Sequence, residues 1–222
     1  MELVSNSQQF AEEFELEQQE AVSSTEIPEI EVTAEAGLPT RYGHFRMISF
    51  RSSSEGEPHL ALTIGLDQTD KLPLVRVHSE CITGDVFGSL KCECGDQLQL
   101  ALQEIGNHGS GVLIYLRQEG RGIGIENKLK AYALQDQGFD TIDSNLMLGL
   151  PIDGRTYGDA AAILKHLEIP AIELLTNNPL KISALETFGI QIENRRKIII
   201  EPCLECQGYM DTKQQKMGHM LD

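Results

Sequence analysis

Two rhythms of apolar positions run along most of this chain. Residues 59–66 and 72–78 carry the β-branched and aliphatic content of strands, the second through Leu74, Val75 and Val77. Between 96 and 109, Leu98, Ala101, Leu102 and Ile105 fall at i, i+3, i+4 and i+7, which predicts a helix closed by Gly109. Residues 112–116 form a continuous apolar run of the buried-strand kind, and 172–175 and 197–200 repeat it. Ile125, Leu129, Tyr132 and Ala133 mark a further helix, and so do Ala160, Ile163, Leu164 and Leu167. Pro179 opens a short one. Strands alternating with helices predict an α/β fold over 38–222, a single domain with a mixed sheet flanked by helices.

Charge separates the first 37 residues from the rest. The chain has 222 residues and a net charge of −16, and residues 1–37 hold ten Glu and no Lys or Arg. With little to bury, that segment reads as a flexible, disordered acidic extension, in which Phe10 and Phe14 could mark one short amphipathic helix. So acidic a chain is a poor nucleic-acid binder, because that affinity comes from neutralised phosphates. No run approaches the ~20 apolar residues of a membrane span, and the N-terminus lacks a secretory pattern, so no membrane partner and a cytoplasmic location are expected.

The five cysteines are too few and too clustered for a disulfide framework. Cys81, Cys92 and Cys94 lie within fourteen residues, with no fourth Cys or His at the usual spacing. Three thiolates without a fourth protein ligand suggest an open zinc site of the kind that activates water, against the alternative of three buried thiols acting as apolar residues. Cys203-x-x-Cys206 and His219 carry no assignable role. The turn Glu119-Gly120-Arg121-Gly122-Ile123-Gly124, between a strand and a helix, would expose amides to an anion, with Arg121 suited to phosphate. Its spacing fits neither the dinucleotide nor the P-loop pattern. Thr176-Asn177-Asn178-Pro179-Leu180-Lys181 could form a second anion site, although helix capping alone explains Asn178 and Pro179. Asp153 and Arg155, two apart, read by themselves as a surface ion pair, and Tyr132 as a core tyrosine beside Ile125 and Leu129.

Taken together, these residues resemble GTP cyclohydrolase II. The similarity runs from about residue 38 to 220, through Arg76-Val77-His78-Ser79-Glu80-Cys81, Leu90-Lys91-Cys92-Glu93-Cys94-Gly95, Arg117-Gln118-Glu119-Gly120-Arg121, Lys130-Ala131-Tyr132-Ala133-Leu134-Gln135-Asp136 and Leu175-Thr176-Asn177-Asn178-Pro179. The resemblance implies release of formate and pyrophosphate from GTP, opening the imidazole ring at C8 as the first step of riboflavin synthesis. It implies one Zn²⁺ per subunit, held by Cys81, Cys92, Cys94 and a water, and Mg²⁺ on the GTP phosphates. It places GTP against Arg76, Val77, His78, Ser79, Glu80, Gln97, Glu119, Gly120, Arg121, Thr141, Thr176 and Lys181. Asp153 matches the proposed general base, Arg155 the proposed nucleophile and Tyr132 a tyrosine of the hydrolytic steps. For Arg155, electrostatic stabilisation of the α-phosphate is an equal alternative, since guanidinium stays protonated. A homodimer is expected. The rival readings are a paralogue that stops at the formylated product, a GTP-binding regulator without catalysis, and a structural zinc protein. The acidic extension and the 202–208 segment depart from the family pattern.

Overall fold

In the computed structural model, which describes residues 26–200 apart from 54, 55, 69, 140 and 152, seven strands form. They are β1 (Ile30–Thr40), β2 (Gly43–Ser52), β3 (His59–Ile64), β4 (Leu74–Ser79), β5 (Gly111–Leu116), β6 (Ala171–Leu175) and β7 (Gln191–Arg196). Helices α1 (Ile82–Asp85) and α2 (Cys94–His108) lie between β4 and β5. A one-turn 3₁₀ segment (Glu119–Gly122), α3 (Gly124–Gln135), α4 (Thr141–Met147) and α5 (Gly158–His166) precede β6, and α6 (Pro179–Thr187) links β6 to β7. The strands make one mixed sheet in the order β1-β2-β3-β5-β4-β6-β7. β1, β2, β3 and β5 pair antiparallel, whereas β5, β4, β6 and β7 pair parallel. This is the expected mixed sheet with flanking helices.

The chain sorts into two compact units. One is described over Ile27–Arg117 and residues 157–200, and holds the whole sheet; the other is described over Gln118–Thr156 and holds the 3₁₀ turn, α3 and α4. In the sheet unit the two-residue period of strands sorts the core into two layers. Val75, Val77, Val112, Ile114, Leu116, Ile172 and Leu174 point to one face, where Ala160, Ile163 and Leu164 of α5 and Ala184 and Leu185 of α6 cover them. Leu74, Leu113 and Leu175 point the other way, onto Ala101 and Ile105 of α2. α2 ends as its sequence predicts: Gly109, at φ 77°, donates its N–H to the Ile105 carbonyl at 3.0 Å.

Three expectations need correction. Residues 30–37, assigned to the acidic extension, belong to β1, an edge strand paired along its length with β2. Neither strand of this hairpin is foreseen in the sequence. β1 is mostly solvated and Glu-containing, so it shows no apolar alternation, while the turn at residues 40–43 is built by Thr40, whose Oγ1 accepts from the Tyr42 N–H at 3.0 Å. The last strand lies at Gln191–Arg196 rather than 197–200. Ile198 is buried in the α2-side core, and its N–H and carbonyl are bonded by the Asn177 side chain at 3.1 and 2.6 Å instead of by a neighbouring strand. A side chain has replaced the ladder. Thirdly, Ile125 and Leu129 of α3 are exposed, and the buried positions of that helix are Lys128 and Ala131. Tyr132 therefore sits on no apolar core face. Among the described residues no helix is long and apolar enough to cross a membrane.

Candidate active site

β4 is the strand that organises the sheet unit's share of the candidate residues. It is flanked by parallel partners and buried on both faces, yet it carries Arg76 and His78 two apart, on the face opposite Val75 and Val77. Pairing with β5 runs the full strand, from Leu74 to Ser79. Pairing with β6 stops after Leu74↔Glu173 and Val75↔Leu174. Beyond that point two cations replace ladder bonds: Arg76 Nη1 donates to the Leu175 carbonyl at 3.0 Å, and Lys181 Nζ, from α6, donates to the Val77 carbonyl at 2.7 Å. Arg76 Nη2 also donates to Gln97 Oε1 of α2 at 2.7 Å. The chain leaves β4 toward β5 on one side and returns to β6 on the other. The carboxyl ends of these strands are thus a topological switch point, where open α/β sheets bind ligands. Arg76 to Glu80, Gln97, Thr176 and Lys181 gather there. Glu80 accepts from Arg117 Nε at 2.8 Å, and the Thr176 hydroxyl accepts from the Asn178 N–H at 3.1 Å while Asn178 caps α6.

Immediately after β4, α1 and the start of α2 bring Cys81, Cys92 and Cys94 together. Their sulfurs lie within 4.8 Å of one another, with Cys81 Sγ and Cys92 Sγ 3.6 Å apart. Zn–S bonds of ~2.3 Å at tetrahedral angles separate sulfurs by about 3.8 Å, so the donor set fits zinc. The hydrogen bond from Cys81 and then burial push the Cys92 thiol up, and the hydrogen bonds from Cys81 and Cys92 and then burial push the Cys94 thiol well up. A divalent cation reverses that, because a coordinating thiol is deprotonated. The close approach depends on two glycines: a Cβ at Gly95 would lie 2.4 Å from the Gly84 carbonyl oxygen, and one at Gly84 would lie 2.8 Å from Cys92 Sγ.

Asp85 underlies this cluster. Its carboxylate faces His78 Nε2 at 3.0 and 3.1 Å and accepts from the Cys81 N–H at 3.0 Å and the Tyr115 hydroxyl at 2.8 Å. Burial lowers the His78 pKa despite Asp85, so the imidazole is neutral at pH 7, and burial followed by Asp85 raises that of Tyr115. His78 Nδ1 is buried with no hydrogen-bond partner among the described residues.

The second unit holds the remaining residues. In the 3₁₀ turn, Gly120 (φ 63°) and Arg121 (φ 60°) are both left-handed, a conformation that costs a non-glycine residue roughly 1 kcal/mol or more. The amides of Gly120, Gly122 and Ile123 are engaged by Glu119 Oε1, the Gln118 carbonyl and the Gly120 carbonyl. The turn is therefore not the row of open N–H groups that its glycines suggest. Asp153 and Arg155 form a buried pair rather than a surface one: Nε donates to Oδ1 at 2.8 Å, Nη2 to Oδ2, and the Arg155 N–H to Oδ1 at 3.1 Å. Burial alone would raise the Asp153 pKa, but Arg155 and then Arg121 outweigh it and hold the carboxyl below its usual range. Tyr132 lies on α3, and Thr141 is the first residue of α4.

The sequence model of the family described as GTP cyclohydrolase II matches residues 31–197. The chain is 49% identical over 192 residues to a GTP cyclohydrolase-2 from Acinetobacter baumannii (strain SDF), covering 86% of this chain and 96% of that one. The chain belongs to the GTP cyclohydrolase II family. It is also 48% identical over 192 residues to a riboflavin biosynthesis protein RibBA from Parabacteroides distasonis, covering 86% of this chain but 47% of that protein. The RibBA of Chlorobium phaeovibrioides is matched at the same identity and coverage, so the chain spans about half the length of these RibBA relatives.

Two buried charged side chains beside these candidate residues, Asp85 and Lys128, are not singled out by the sequence. Asp85 follows the first thiol by four positions, and a buried carboxylate beside a thiol cluster was its only signal. Lys128 lies among solvated lysines and is distinguished only by its burial. Cys203, Cys206 and His219 lie outside the described residues.

Proposed function

We propose that this chain is a zinc-dependent GTP cyclohydrolase II. It hydrolyses GTP at C8, releasing formate and pyrophosphate and leaving 2,5-diamino-6-hydroxy-4-(5-phosphoribosylamino)pyrimidine, the first intermediate toward riboflavin. The observation that carries this reading is the convergence of three thiols, two buried and one half-buried, with no fourth protein ligand among the described residues, beside the switch point of the sheet. Cys81, Cys92 and Cys94 would hold one zinc ion, which supplies Lewis-acid activation of water for the ring hydrolysis. Asp85 keeps the thiol-bearing turn and the His78 ring in place. Arg76 and Lys181 form the cationic seam that receives the nucleotide, and Arg121 bears on the triphosphate, to which Mg²⁺ is expected to bind. Glu119 takes the N1–H and 2-amino donors of guanine. Arg155, clamped by a carboxylate held below its usual pKa, acts through its charge on the α-phosphate rather than as a nucleophile; a base so stabilised as an anion is a poor acceptor of a guanidinium proton. Tyr132 serves the hydrolytic steps. The working form is a homodimer.

The test is incubation of zinc-loaded protein with GTP and Mg²⁺, following formate, pyrophosphate and product mass together. Equimolar formate and pyrophosphate support the reading. A product retaining the formyl mass indicates the paralogous reaction, and no turnover with GTP bound indicates a regulator. Cys92→Ser is expected to abolish formate release, and full-rate formate from that variant would sink the zinc assignment.

A further inference from the structure

Lys128 is one of the few buried cations among the described residues, and no role in the reaction described above uses it. Lysine is almost never buried unless paired, because an unpaired ammonium in a low-dielectric site is costly. Its pairing here is specific. Lys128 Nζ donates to Glu119 Oε1 at 2.8 Å, with both side chains only 9% exposed. The same oxygen accepts from the Gly120 N–H at 2.7 Å, so the carboxylate is gripped from two directions. Nζ also sits 5.8 Å from the centroid of the Tyr132 ring, one helical turn along α3. The glycine-containing turn is pressed onto the lysine stem: a Cβ at Gly120 would lie 3.2 Å from Lys128 Cβ and 3.1 Å from Ile123 Cγ1, at a φ of 63° that disfavours side chains in any case. One ammonium therefore ties the carboxylate assigned to guanine to the tyrosine assigned to hydrolysis.

We propose that Lys128 is a positioning residue for base recognition, fixing the Glu119 carboxylate in the orientation that accepts both the N1–H and the 2-amino group of guanine. The proposal rests on the GTP reading above. It makes a prediction that a purely structural lysine does not. With the ammonium gone, the carboxylate can turn about its side-chain torsions, and the second of its two guanine hydrogen bonds is the first to be lost. Inosine triphosphate, which lacks the 2-amino group, never makes that bond. Loss of Lys128 should therefore fall harder on GTP than on ITP.

The experiment compares wild type, Lys128→Met, Lys128→Arg, Glu119→Gln and the Glu119→Gln/Lys128→Met double variant, each as the full zinc-loaded chain. GTP and ITP dissociation constants are measured by calorimetry, and kcat/KM on each nucleotide by formate release. The readout is the GTP-to-ITP ratio, which is independent of any loss of folded protein, because both nucleotides meet the same sample. Lys128→Met is expected to lower the ratio about 10-fold, the scale of one hydrogen bond to a charged group. Lys128→Arg should recover most of it, and the double variant should be no worse than Glu119→Gln alone. Should Lys128→Met not fold, Lys128→Gln is expected to show the same direction. An unchanged ratio in Lys128→Met or Lys128→Gln overturns the proposal, and so does a double variant showing the product of the two single losses. A wild type with no preference for GTP over ITP overturns it as well. Absence of formate from a wild type that still prefers GTP in binding defeats the cyclohydrolase reading instead, and the binding ratios alone then decide the role of Lys128.

Discussion

Gly84→Ala should weaken zinc binding at the proposed site without replacing any of the three cysteines. A methyl group on Gly84 would sit 2.8 Å from Cys92 Sγ, 3.1 Å from Cys94 Cβ and 3.3 Å from the Gly95 nitrogen. Non-bonded heavy atoms settle at about 3.5–4.0 Å, so the first contact is short by nearly 1 Å. A thiol on an ordinary core position could swing away at little cost. Here the sulfur must stay with two others, and coordination tolerates about ±0.2 Å. The displacement required is several times that margin. We expect zinc affinity to fall by about 100-fold, at the upper end of what changes around a metal's ligands produce. Thermodynamic stability should fall by about 1–3 kcal/mol, the range for overpacking. Competition with a chelator of known affinity measures the first, and urea unfolding the second. Gly95→Ala should be worse for folding, because its methyl meets the Gly84 carbonyl oxygen at 2.4 Å and backbone yields less readily than a side chain. Gly37→Ala, with nothing within 4 Å, serves as the silent control. A Gly84→Ala protein that binds zinc as tightly as wild type would refute the claim that this contact shapes the site.

Two further outcomes follow from buried polar groups. Asp159 accepts from the Ser52 hydroxyl and lies 3.2 Å from His59 Nε2, while His59 Nδ1 accepts from the Arg117 N–H at 3.0 Å, so this cluster ties β2, β3 and α5 to the residue after β5. Asp159→Ala removes an acceptor from the buried His59 and the half-buried Ser52 and should cost about 2 kcal/mol in urea unfolding; a loss under ~0.5 kcal/mol would mean that the cluster bears little on stability. Arg155→Met leaves the buried Asp153 carboxylate without its main partner. Because Asp153 titrates below its usual range in the wild type, its contribution is fully present above the unfolded carboxyl pKa of ~3.9 and fades as pH falls through the lower folded value. The stability difference between wild type and Arg155→Met should therefore be largest near neutrality and shrink toward pH 3. A difference constant over that range would show that Arg155 acts through packing alone.

The central strands and helices were legible because each is covered on a face that its sequence declares. Val112 to Leu116 and Ile172 to Leu175 are buried on both sides and read as apolar runs, and α2 shows its stripe because one face meets the sheet. The hairpin β1–β2 was not legible, since a solvated edge strand needs no apolar alternation and is held by backbone pairing. Residues 197–200 misled for the opposite reason: their apolar run answers a core position at Ile198, while Asn177 takes over the backbone bonding. Among site residues, the thiols declared themselves by spacing. Asp85 and Lys128 did not, because only burial distinguishes them from ordinary surface charges. The Asp153–Arg155 pair was visible as a pair but not as a buried one.

The position of β4 has a consequence for how the protein is made. Its β6 partner begins at Ala171, 92 residues after Ser79 (171 − 79), with the whole Gln118–Thr156 unit emerging in between. At a synthesis rate of about 5–20 residues per second, that interval is roughly 5–20 s. Throughout it, a strand destined for burial on both faces offers a bare hydrogen-bonding edge to the crowded space around the ribosome. A nascent chain stalled before Ala171 should be a client for chaperones, and one released after Arg196 should not.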